Sequence, residues 1–93
     1  MRMMLKFAIP VEKGNRTAAD GTLGAAIDKL VEQTGAEAAY FMVLDGKRSG
    51  LIFFDIDDLA QLPQINEPFF AAVDAAIDIV PVLTLDDLRR GLS

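Results

Sequence analysis

Large apolar side chains run from Met3 to Ile9 with one interior charge, Lys6, before Pro10 closes the run. That pattern predicts a first strand. Val11 to Arg16 is polar and includes Gly14 and Asn15, which predicts a loop. Thr17-Ala18-Ala19-Asp20 has the form of a capping box opening a helix, the Thr oxygen taking an orphan N–H while Asp20 faces the helix dipole. Leu23, Ile27, Leu30, Val31 and Thr34 follow with helical spacing, and Gly35 stands where a terminal glycine stops a helix. Gly21 and Gly24 each weaken this helix by about 1 kcal/mol relative to Ala. They imply either close packing against a sheet or a helix that starts later.

Strand patterning returns from Glu37 to Leu44 and again from Leu51 to Ile56, joined by a segment that carries the Asp45-Gly46 hairpin signal. Asp57 is placed to cap a second helix. Pro63 weakens the interior of that helix, and Pro68 should end it at about Asn66 or Glu67, with one further turn over Phe69 to Ala72. Ala76 to Leu83 reads as the last strand, and Pro81 puts it at a sheet edge. Thr84 with Asp86 and Asp87 caps a short final helix that ends near Arg90-Gly91. The order is β-α-β-β-α-β with a helical tail. Two right-handed crossovers around a hairpin give a ferredoxin-like α+β fold: one domain over residues 1–93, a four-stranded antiparallel sheet in the order 4-1-3-2, and both main helices on one face.

Alternation then divides the sheet into two faces. The uniformly apolar sets should meet the helices. The other face receives Met4, Lys6, Tyr40, Met42, Phe53, Asp55, Asp78, Val80 and Val82. It is too apolar to stand in water, yet it carries a cation, two carboxylates and a phenol. Lys6 lies on a central strand between the strands bearing Asp78 and Asp55, where pairing with either carboxylate is expected.

Composition sharpens this picture. Hydrophobic residues make up 52% of the chain and the mean hydropathy is +0.29, more than so small a domain can bury by itself. A second copy covering the open face accounts for the excess, so a homodimer is expected. The net charge of -5 and pI near 4.4 argue against nucleic acid and anionic membrane surfaces as partners. Neither Cys nor His is present, which removes disulfides, thiolate metal sites, cysteine nucleophiles and histidine ligands. The expectation is of no cofactor and no metal. The N-terminal apolar run, broken by Lys6 and Pro10, is too short for a signal peptide. A soluble cytoplasmic protein is expected, in which the Asn15-Arg16-Thr17 glycosylation pattern is fortuitous.

Glu67-Pro68-Phe69 followed by Ala76 to Leu83 (AIDIVPVL) is similar to the Asp-Pro-Phe and Val-Glu-Ile-Arg-Pro pattern of YCII-related proteins. The element order resembles the muconolactone-isomerase-like branch of the dimeric α+β barrel proteins. Asp45 to Gly50 (D-G-x-R-x-G) and Pro81 to Leu88 (P-V-x-T-x-x-D-L) resemble elements of small uncharacterised bacterial proteins. The resemblance implies two sheets packed face to face around an interior. YCII-related proteins are associated with a His and Asp pair, and this chain has no His with which to form one.

The candidate chemistry follows from that face. Asp78 or Asp55 is a candidate general base, with Tyr40 and Lys6 able to steady an enolate; the same four residues can instead fix dimer register as ion pairs and hydrogen bonds. Met42 and Phe53 are candidate ligand contacts in the interior. Arg48, at the hairpin, is placed to meet an anionic ligand, and Glu67 to turn toward a cleft beside Pro68. Asp55 to Asp58 lacks the glycine and distal Glu of a calcium loop. Three functions remain open: a homodimer binding a small apolar or aromatic molecule between its sheets, a cofactor-free isomerase- or oxygenase-like enzyme, or a structural or regulatory dimer module.

Overall fold

A computed structural model describes residues 1–93. It runs β1 (Arg2–Ile9), α1 (Val11–Asp20), α2 (Thr22–Thr34), β2 (Ala38–Leu44), β3 (Lys47–Asp55), α3 (Gln61–Val73), β4 (Ala76–Pro81) and α4 (Leu85–Leu92). The sheet order is β2-β3-β1-β4 with every pair antiparallel. This is the predicted 4-1-3-2 order read from the other edge, and the fold is ferredoxin-like. Met3, Leu5, Phe7 and Ile9 of β1 and Ile52 and Phe54 of β3 are buried, and Leu30 of α2 with Ile65, Phe69 and Val73 of α3 complete the core.

The first crossover is richer than the patterning predicts. Val11 to Arg16 is not a loop but the first part of α1, entered from Pro10. Gly14 and Asn15 are poor helix formers, and tertiary contacts override them. Gly14 is buried, and a Cβ there would lie 2.9 Å from a guanidinium nitrogen of Arg48. Thr17 is therefore no cap. It sits inside α1 and its hydroxyl donates to the Lys13 carbonyl at 2.8 Å. Gly21, at φ 86°, breaks the segment into two helices, and the Asp20 carboxylate accepts from the Thr22 N–H at 2.8 Å to start α2.

Asp45 and Gly46 both have positive φ, 53° and 74°, so the hairpin is a two-residue turn and β3 begins at Lys47 rather than Leu51. Asp57 does not cap α3. Instead Gln61 Oε1 accepts from the Asp57 and Asp58 N–H groups at 2.9 and 3.1 Å, and Asp58 accepts from Ala60. Pro63 lies in the first turn of α3, where a missing N–H leaves nothing unsatisfied. Pro68 does not end the helix, which continues to Val73. The acceptor it deprives is the Gln64 carbonyl four residues earlier, and Gln33 of α2 donates its side-chain amide there at 3.0 Å. The last strand ends at Pro81, and Thr84 and Asp87 form the predicted capping box of α4. No residue of α4 is buried. The radius of gyration is 14.4 Å, against about 12 Å for a compact chain of this length, as a helix lying off the core requires. No helix is long and apolar enough to cross a membrane.

Candidate functional site

Strand register converts the open face into rows. Tyr40 faces Leu51, Leu51 faces Lys6, and Lys6 faces Asp78, so one transverse row crosses all four strands. The row beside it holds Ala38, Phe53, Met4 and Val80, and the row on its other side holds Met42, Ser49, Ala8 and Ala76. A row with a cation, a carboxylate and a phenol thus crosses a face whose two flanking rows are apolar apart from Ser49. Among the exposed large side chains of this face are Tyr40 at 60% and Val80 at 43%.

Of the four expected chemical residues, the fold brings together only Lys6 and Asp78. They are direct cross-strand partners, with Cβ atoms about 5 Å apart. Both side chains are exposed and no ion pair closes between them. Asp55 departs from the expectation. It faces Arg2, four positions along β3 from the residue opposite Lys6, a separation of about 13 Å. Its carboxylate accepts from the Met1 ammonium at 2.7 Å. That hydrogen bond and the ammonium charge hold Asp55 below the ordinary carboxylate range. Asp55 therefore neither pairs with Lys6 nor acts as a base beside it. Tyr40 also stands apart. It lies on one edge strand and Asp78 on the other, three strand spacings or about 14 Å away, so within one chain the two cannot serve the same bond.

The expected ligand contacts divide as well. Met42 and Phe53 lie on the open face in the rows flanking Lys6. Arg48 pairs with Ile9 and Val43 in register, which assigns it to the helix side of the sheet. Glu67 is an exposed residue of α3, in the helix layer rather than at the open face. Asp55, Asp57 and Asp58 do not converge, and no group of three or more carboxylates gathers to hold a metal. One feature escapes the patterning altogether. Phe41 and Val43 alternate onto the helix side, yet they are 52% and 74% exposed. Their side of the sheet is apolar, but β2 is an edge strand that the helices leave partly uncovered.

No family model and no curated protein matches the chain. Among solved structures it is similar to the de novo designed protein Ferredog-Diesel, at 13% sequence identity and a TM-score of 0.43, with 86% of this chain and 82% of that one covered.

Proposed function

We propose that the chain works as a homodimer whose open sheet faces pack together and hold a small apolar or aromatic molecule between them. The observation that carries this is the banded face: two apolar rows, led by Phe53 and Met4 on one side and Met42 on the other, flank the Lys6–Asp78 row. Such a face is costly to leave in water. A Lys–Asp pair at its centre is costly to bury without further polar partners, and a ligand carrying one polar group supplies them. The layout supports kinship with the dimeric α+β barrel proteins, and the Glu67-Pro68-Phe69 and Pro81 to Leu88 elements support the YCII-related and muconolactone-isomerase-like branches within it.

Placing Phe53→Asp in this face puts a carboxylate in the centre of an apolar interface. Size-exclusion chromatography should then show the variant eluting as a 10.1 kDa monomer, with an unchanged circular dichroism spectrum, while the wild type elutes as a dimer. A wild type that already elutes as a monomer sinks the reading. The Lys6–Asp78 juxtaposition supports a second reading, proton transfer by Asp78 as base with Lys6 steadying the developing anion. Within one chain Asp55 and Tyr40 lie too far from that pair to join it. Asp78→Asn separates the two readings, because it abolishes turnover under the second, whereas under the first there is no turnover to lose and the effect is a weaker dimer, with Lys6 left uncompensated.

A further inference from the structure

Mostly on the helix side of the sheet, a cleft of about 360 Å³ opens between the start of α2 and the exposed edge of β2, with Met42 and Ser49 of the open-face rows also in its lining. Phe7, Ile9, Leu23, Ile27, Phe41 and Val43 line it, with Arg48 as its one charged residue. The volume lies in the range of small-molecule sites, about 300–1,000 Å³. The apolar part has a fixed floor. Phe7 is 1% exposed and is held edge-on by Phe69 at a centroid distance of 5.0 Å. Its ring lies over Gly50, where any Cβ would collide with it.

Arg48 is positioned rather than loose. One guanidinium nitrogen donates to Asn15 Oδ1 at 3.0 Å, and the absence of a Cβ at Gly14 lets the side chain lie against α1. No carboxylate pairs with it, although the chain has 14 Asp and Glu. A guanidinium carries five N–H donors in a fixed fork that matches a carboxylate, and a single contact to Asn15 leaves most of them free.

We infer that this cleft binds an anionic amphiphile, an aliphatic or arylalkyl carboxylate whose tail lies among Phe7, Leu23, Ile27 and Val43 and whose head is read by Arg48. Charge complementarity selects the occupant. A chain of net charge -5 repels anions in general, so an acid seated here is selected by the local cation. Arg48 and the apolar residues named for the tail lie on the helix side, away from the proposed dimer face.

The probes are octanoate and 1-octanol, which share a tail and differ in charge, titrated into the full chain and followed by amide chemical shifts. Octanoate should move Leu23, Ile27, Phe41 and Val43, and bind about tenfold more tightly than 1-octanol, the equivalent of one charge-assisted contact of about 1.4 kcal/mol. Arg48→Met should erase that difference while leaving 1-octanol binding unchanged. Because Arg48 also contacts α1, Val43→Glu serves as a second variant. Its side chain is largely exposed, so the fold is kept, and a carboxylate at the rim should weaken octanoate by about tenfold or more. Equal affinity for acid and alcohol in the wild type overturns the inference. So do shifts confined to Met4, Phe53 and Val80 of the open face, or no shifts at all.

Discussion

Replacing Gly50 by Ala tests how the sheet, the core and the cleft are tied together. Gly50 lies directly opposite Phe7 on β1 and Phe41 on β2. A Cβ built on it would overlap two atoms of the Phe7 ring and lie 3.1 Å from Phe41 Cδ1. Phe7 cannot retreat, since Phe69 stands edge-on behind it and the residue is fully buried. Overpacking a tight core by one methyl group costs about 1–3 kcal/mol, and a ring backed by another ring belongs at the upper end. For a domain of this size the expected fall in Tm is about 10–20 °C. The sign makes the test sharp. At an unconstrained strand position the same change removes glycine's entropy cost and stabilises by about 0.5–1 kcal/mol. Thermal melts of Gly50→Ala, Phe7→Leu and the double variant complete the cycle. Phe7→Leu should be destabilising alone, yet should recover stability when combined with Gly50→Ala, giving a coupling of about 0.5–3 kcal/mol. A Gly50→Ala chain that melts at or above the wild-type temperature refutes the account of Phe7 as a pinned floor.

Gln33→Ala should lower stability by about 0.5 kcal/mol, the low end for one hydrogen bond, because water replaces the amide at the exposed Gln64 carbonyl that Pro68 cannot serve. In a Pro68→Ala background, whose restored N–H can donate to that carbonyl, the loss measured by urea denaturation should shrink toward zero; an equal loss in both backgrounds counts against this. Acid sensitivity follows from three carboxylates held below the ordinary value of 3.8: Asp20 by the Thr22 hydrogen bonds, Asp55 by the N-terminal ammonium, and Asp87 by the Thr84 N–H. Each is depressed on folding, so its contribution is complete above the ordinary value and is lost as pH falls through the lower, folded value. Asp20→Asn retains an acceptor for the Thr22 N–H but not the charge, and should flatten the decline in Tm below the ordinary value; a decline parallel to the wild type is the contrary result.

The rows of the open face are legible in the sequence because alternation has a period of two, and the strand order fixes which rows join. Lys6 beside Asp78 follows from those two facts. The same order places Tyr40 and Asp78 at opposite edges, so periodicity also limits what the face can catalyse. Other features depend on contacts far apart in the chain. Local propensity assigns Gly14 and Asn15 to a loop, and only their contacts with Arg48, more than thirty residues on, show why they are helical. Pro68 reads as a helix stop until Gln33 of another helix supplies the missing donor. Asp55 keeps its place on the open face, but its partner there is a backbone ammonium, which no side-chain pattern encodes. The cleft beside Arg48 is hidden for a related reason. Alternation assigns Phe41 and Val43 to the helix side, but only the placement of α2 shows how little of that edge it covers.

Besides the β2 edge at Phe41 and Val43, two surfaces of different kinds are left by the fold with apolar residues that their own chain does not cover. One is the banded sheet face. The other is α4, whose Leu85, Leu88 and Leu92 are 62%, 46% and 78% exposed. That helix is locally complete: it has its capping box, and Arg90 pairs with both Asp86 and Asp87 on the polar side. Such pairs are worth only a few tenths of a kcal/mol each, and isolated helices of this length are marginal in water. The spacing of the three leucines, at i, i+3 and i+7, is that of a helix meant to pack against an apolar surface. Because α4 follows β4, the edge strand that carries Asp78 and Val80, it begins beside that edge of the sheet. On the homodimer proposed above, one partner that reaches past the β4 edge would cover both the banded face and the leucines of α4.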